Sequence, residues 1–219
     1  HCPSNSNTLQ GGLIMSEYGY IPEAPEQSFG NNKGIFTPKD IYDLTRADKY
    51  TNYGQLELIE TRAVSGVSTV DFTNLGDYNV HFLTINDYQV TTSNTRIGVR
   101  FYESGVLETA SVYQWAYQQC LQGSGGEFKA TAHSSIPIQI EQPINFGGGG
   151  YNYFYNLTDS AKFSFLTNQH IRTSNAVITE FGGGLMPQAS EVTGFQIGSY
   201  DSSNYNFSLT ASLYGIRFS

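Results

Sequence analysis

From Gly54 onward, apolar and polar residues alternate with a period of two. In Thr95–Glu103, Ile97, Val99 and Phe101 hold one phase while Arg96, Arg100 and Tyr102 hold the other. Phe163 and Phe165 alternate with Lys162 and Ser164, and Phe207, Leu209, Ala211 and Leu213 alternate with Asn206, Ser208, Thr210 and Ser212. Further strands are predicted over residues 55–63, 68–72, 78–86, 107–117, 136–140, 151–157, 176–181 and 192–198. In 107–117 the alternation of Tyr113, Trp115 and Tyr117 favours a long strand over a helix, and pairs it with the preceding strand as a hairpin around Ser104-Gly105. Turn signals separate the segments at Val64-Ser65-Gly66, Gly76-Asp77, Ser104-Gly105, 123–126, 147–150 and 182–184. Short strands at this spacing predict an all-β fold, a sandwich or barrel over residues 54–219.

The pattern before Gly54 differs. Thr37-Pro38-Lys39-Asp40 is a helix start: Thr37 can cap, Pro38 suits the first position, and Asp40 faces the amide-rich end. A short helix over about 38–46 follows, with Ile41 and Leu44 on one face. Residues 15–36 hold Pro22, Pro25, Gly30 and Gly34, too many breaks for a regular ladder or helix. Yet they carry Tyr18, Tyr20, Ile21, Phe29, Ile35 and Phe36, more large apolar groups than a linker needs. Residues 15–53 therefore read as an extended docking arm for its own domain or a neighbouring subunit. Residues 1–14 read as a leader or added remnant before a start at Met15.

Composition narrows the function classes. Only 14% of residues are charged, against about 25% in ordinary globular chains. A surface of that kind suits permanent assembly or sugar contact. The net charge of −8 and the lack of any Lys/Arg run argue against nucleic acid as partner. No apolar run approaches the ~20 residues that span a bilayer, and no basic region leads into an apolar core at the N-terminus. Cys2 and Cys120 stand in no metal-spaced motif, and a disulfide between them is not expected.

The ordered segments GQLELIETRAVSGVSTVDFTNL, YNVHFLTIND, RIGVRFYESGVLETASVYQWAYQ, YNYFYNLTDSAKFSFLT, FGGGLMPQASEVTGFQI and SLTASLYGIRFS resemble a family of phage structural domains. Its members are tail-fibre-like and other virion proteins, notably of marine phages. MSEYGYIPEAPEQSFGNNKGIFTPKDIYDL is similar to their N-terminal segments, so the resemblance covers roughly residues 15–219. It implies a jelly-roll-like β-sandwich, location in the virion, other virion proteins as partners and a homo-oligomer, guessed as a trimer. It supplies no catalytic motif.

The chemistry visible in the sequence is sparse. His1, His81, His133 and His170 are far apart and lack ligand spacing, and His81 reads as a half-buried strand histidine. No cofactor and no metal are expected. The glycine clusters lack the Lys-Ser/Thr pair and helix of a phosphate cradle, and read as loop tips or places of close backbone packing. Glu57 and Glu60 fall on opposite faces of one strand, while Glu103 and Glu108 flank the hairpin and could approach as a glycosidase pair would. A solvated hairpin end explains them better, since acids at turns are common and no motif ties an aromatic or basic residue to the pair, and the chain reads as non-enzymatic. Asn156-Leu157-Thr158 and Asn206-Phe207-Ser208 match the glycosylation sequon, which has no meaning in a bacterial virus.

The aromatic residues Tyr113, Trp115, Tyr117, Tyr151, Tyr153 and Tyr155 have two readings: cross-strand pairs within the sheet, or a surface for sugar or protein. Loops around 121–135, 146–151, 168–175 and 199–205 would complete such a surface. The first expectation is a virion structural subunit, fibre-like or capsid-decorating. The alternative is a receptor- or carbohydrate-binding module at a fibre tip.

Overall fold

A computed structural model describes residues 27–28, 31–32, 37–47, 56–91, 95–121, 123–142, 146–173, 177–200 and 205–216. The chain divides into two units, residues 1–52 and 53–219. In the first, β1 (Gln27–Ser28) pairs antiparallel with β2 (Asn31–Asn32), so a two-pair ribbon forms where the prolines and glycines suggested none. Helix α1 spans Pro38–Arg46 as expected. Thr37 and Asp40 form a reciprocal capping box, with the Thr37 amide donating to Asp40 at 2.8 Å. Ile41 and Leu44 are its half-buried apolar residues. The arm residues Tyr18, Tyr20, Ile21, Phe29, Ile35 and Phe36 lie outside the described residues.

The second unit is a β-sandwich. Its strands are β3 (Leu56–Val67), β4 (Thr69–Phe72), β5 (Val80–Val90), β6 (Thr95–Glu103), β7 (Val106–Leu107), β8 (Tyr113–Leu121), β9 (Ser124–His133), β10 (Ile136–Gln142), β11 (Gly148–Tyr155), β12 (Phe163–Arg172), β13 (Ile178–Ala189), β14 (Val192–Ser199) and β15 (Phe207–Ile216). One sheet runs β10-β6-β14-β4, with β7 on β6; the other runs β3-β15-β5-β11-β12-β13-β8-β9. Within these, β3-β15-β5-β11 and β4-β14-β6-β10 are the two four-stranded halves of a jelly roll. The larger sheet then continues through two insertions, one after β6 and one after β11. They meet where β13 pairs with β8.

Alternation explains the packing. β15 is buried at every second residue from Phe207 to Gly215, and Leu83 and Ile85 of β5 lie beside it. Phe72 stacks on Phe195 at 5.0 Å within the smaller sheet, and rings link the two sheets where Phe195 stacks on Phe154 at 4.7 Å and Phe101 meets both Phe154 and Tyr113. The hydroxyl of fully buried Tyr113 accepts from the Phe101 amide at 2.8 Å and donates to the Glu108 carbonyl. A buried phenol thereby keeps its polar end satisfied.

Several expectations are corrected here. Gly148–Gly150 and Gly182–Gly184 are strand interior, not turns. Close packing is the reason: a Cβ on Gly184 would meet the Ile136 side chain at 2.6 Å and the Gln114 carbonyl at 2.9 Å. The predicted strand 107–117 is broken. The hairpin at Ser104-Gly105 exists, with both turn residues at positive φ (48° and 86°), but β7 pairs with β6 over only two residues. The chain then crosses over, and Tyr113 opens β8 in the other sheet. The stretch 124–133, read as loop, is strand β9, and the last strand before Val192 runs on to Ala189 through Pro187 at a register shift.

Candidate functional site

Among the described residues, the outward side of the larger sheet carries the most unusual surface. Strand registers organise it into rows. One row reads Leu56, Ile216, Val80, Tyr155, Phe165, Leu185, Gln114 across seven strands. The next reads Leu58, Tyr214, Phe82, Tyr153, Thr167, Gly183, Ala116. A third reads Thr61, Ser212, Thr84, Tyr151, Gln169, Phe181, Gln118. No charged residue appears in any of the three until the final strand, where Lys129 and Glu127 continue the second and third rows. Asp87, at positive φ, marks the bulged end of β5.

Aromatic contacts bind the rows. Phe82 lies 4.7 Å from Tyr153, 6.0 Å from Tyr151 and 6.1 Å from Tyr214, and Tyr155 stacks on Phe165 at 4.7 Å. Tyr151 donates to Gln169 at 2.7 Å. The face stays open despite these contacts. Six of the nine large hydrophobic residues exposed among the described residues of this unit lie on it: Leu56, Leu58, Tyr151, Phe163, Ile171 and Phe181. At Gly183 and Ala116 the rows lose their side chains, leaving a trough of about 470 Å³ walled by Phe165, Leu185, Gln114, Lys129 and Thr131.

A second aromatic cluster lies on the inward side of the insertion strands. Trp115 stacks on Tyr117, and Tyr117 on Phe128, both at 5.2 Å, while His133 stacks on Tyr200 at 4.2 Å. The Arg96 guanidinium sits 5.0 Å over Tyr117 and 5.7 Å over Tyr200, and donates to the Tyr117 hydroxyl. Arg96 also pairs with buried Glu180 at 3.1 Å, and Gln119 donates to that carboxylate at 2.7 Å. Burial works to lower the Arg96 pKa, but the Glu180 carboxylate, followed by the Tyr117 and Tyr200 hydroxyls, outweighs it and raises the pKa above its ordinary value. This cluster ties β6, β8 and β13 together.

The six aromatic residues singled out in the sequence therefore divide between opposite sides of one sheet. Tyr151, Tyr153 and Tyr155 are outward; Trp115 and Tyr117 are inward; Tyr113 is core. Among the suggested recognition loops, 124–133, 148–150 and 168–172 are strand. Sequence reading passed over Leu58, Phe82, Phe165 and Tyr214, which complete the outward face. Their signal was present: Tyr214 and Ile216 occupy the polar phase of β15, where a solvated sheet would carry polar groups.

The acidic and histidine candidates resolve individually. A bulge places Glu57 opposite Gly215 and Glu60 opposite Leu213, so the two acids share a face instead of opposing ones. Each has its own partner, Tyr78 at 2.8 Å for Glu57 and Arg62 at 2.6 Å for Glu60. Glu108 accepts from the Ala110 amide at 2.7 Å. His81 is fully buried rather than half-buried, with Nε2 2.8 Å from the Leu75 carbonyl, and burial lowers its pKa. His170 is buried beside Asn152, and burial takes its pKa down to about 3. His1 lies outside the described residues. Among the described residues no group of three or more His, Cys, Asp or Glu could hold a metal ion, and no helix is long and apolar enough to cross a membrane.

The fold places the chain among jelly-roll β-sandwiches, and the exposed feature that sets it apart is an uncharged aromatic sheet face. No family model matches the chain, and no curated protein matches it significantly.

Proposed function

We propose that this chain is a non-enzymatic structural subunit of a bacteriophage virion, fibre-like or capsid-decorating, that works as part of a permanent assembly. The observation that carries the reading is the outward face of the larger sheet. Seven strands contribute three rows without one charge, and six large hydrophobic side chains stand open on that face. Exposed apolar surface of that extent marks an interaction site. Its Tyr and Phe content, without Lys or Glu in those rows, is that of an interface core. The resemblance of residues 15–219 to phage structural domains supports the choice of particle, and the aromatic arm 15–36 supports anchoring to other virion proteins.

The test is antibody labelling and mass spectrometry of purified phage particles whose genome encodes the sequence. The chain is expected at many copies per particle, and labelling confined to the unassembled fraction would refute the reading. A second reading, a glycan-binding module at a fibre tip, draws support from the Phe128 end of the inward stack, where the residue is 42% exposed. It requires glycan-array binding that Phe128→Ala abolishes.

A further inference from the structure

The outward face has an apolar edge on one side and a trough on the other. β3 is the terminal strand of its sheet, and Glu57 and Glu60 on its inward phase blunt it as an edge. Here the outward positions near the start of the edge strand are Leu56 and Leu58, 52% and 60% exposed. In the same two rows, five strands away, Phe165 and Leu185 wall a trough whose floor, Gly183 and Ala116, carries nothing larger than a methyl group. The trough, about 470 Å³, has room for leucine side chains.

Area and charge point to the same occupant. The six strands from β3 to β13 span about 24 Å, and ten residues of strand span about 33 Å, giving about 800 Å². A standard stable interface buries about 800 Å² on each partner. The rows are uncharged from β3 to β8, so covering them desolvates no ion until Lys129 on β9, an exposed side chain at the far wall of the trough. A partner that matches presents apolar groups, and the outward Leu56 and Leu58 side chains, with Glu57 turned to the other side of the strand, are such groups.

We propose that a second copy of this chain covers this face, with its Leu56–Leu58 edge seated in the trough at Gly183. Edge and trough lie on one face of the sheet, so two copies related by a two-fold axis each seat their edge in the other's trough. The proposal rests on the reading of the chain as an assembly subunit, whose partner it names.

The experiment uses the full chain with Cys2 and Cys120 replaced by serine. Leu58→Cys combined with Ala116→Cys is expected to give, under mild oxidation, covalent species larger than one chain that stop at a fixed number of copies. Neither single cysteine should do so. Light scattering should show the unsubstituted chain as that same multiple of 24.2 kDa at micromolar concentration. Ala116→Trp fills the trough from an exposed position and should return the mass to one chain with an unchanged melting curve; Leu58→Ser, on the other partner surface, should do the same.

A monomeric parent chain overturns the proposal, as does equal cross-linking by Leu58→Cys alone. A monomer in which Ala116→Trp exposes residues 15–36 to protease makes the chain's own arm the occupant, and also overturns it. A monomer that still labels particles leaves the virion reading standing. A stable pair absent from particles removes that reading and leaves the interface.

Discussion

Tyr155 and Phe165 are direct cross-strand partners whose rings stack at 4.7 Å and 14° on the outward side of the larger sheet. Such a pair contributes about 0.5–1.5 kcal/mol beyond area burial. Much of its apolar surface still faces outward, beside the trough and half-exposed Phe163. The pair serves both the sheet and the surface.

Replacing Phe165 with serine should separate these roles. The melting temperature should fall by only a few degrees, equivalent to about 1–2 kcal/mol. Self-association should weaken at least tenfold. Parallel calorimetry and light scattering check this; a large loss of stability with association intact would show that the ring matters to the fold alone.

Phe154 should behave in the opposite way. It is fully buried, stacked on Phe195 and edge-on to Phe101. Phe154→Ala should cost about 3–5 kcal/mol, because the transfer loss adds to a cavity between two sheets. Urea unfolding gives the value directly.

Glu180→Ala should cost about 3–5 kcal/mol, since it leaves the largely buried Arg96 guanidinium without its anion. The partner substitution Arg96→Met with Glu180→Leu should recover much of the loss. Denaturant midpoints for the single and double variants test the coupling.

Acid should destabilise the sandwich before its carboxylates titrate. His170 and His81 both have folded pKa values below the ordinary 6.5, with burial as the main cause. The unfolded chain therefore binds more protons than the folded one below about pH 6.5, and stability rises with pH in that window. For His170 the window runs from about 6.5 down to about 3, with a slope of at most about 1.4 kcal/mol per pH unit. His170→Gln should flatten the decline between pH 6.5 and 4.5, as read from urea midpoints, whatever its effect at pH 7.

Gly184→Ala should destabilise by about 1–3 kcal/mol, because its Cβ enters the space of Ile136 and the Gln114 carbonyl. Gly66→Ala sits at positive φ with no atom within 4 Å, so its smaller cost comes from backbone strain alone. Comparing the two separates close packing from turn geometry.

Sequence alone determined the all-β class, the capped helix at Pro38–Arg46, the Ser104-Gly105 turn and most inward-facing core positions. Those features are written in local chemistry: a two-residue period, a capping residue and a turn that accepts positive φ. Tertiary structure decided what depends on distant partners. It placed Tyr113 in a different sheet from its hairpin neighbour Phe101, made strands of the two glycine clusters, and put Glu57 and Glu60 on one face through a bulge. Above all it aligned Leu56, Tyr155 and Leu185, separated by up to 129 positions, into one outward row. Alternation tells which side of a strand a residue takes, but not which strands lie beside it or whether that side meets a core, water or another molecule.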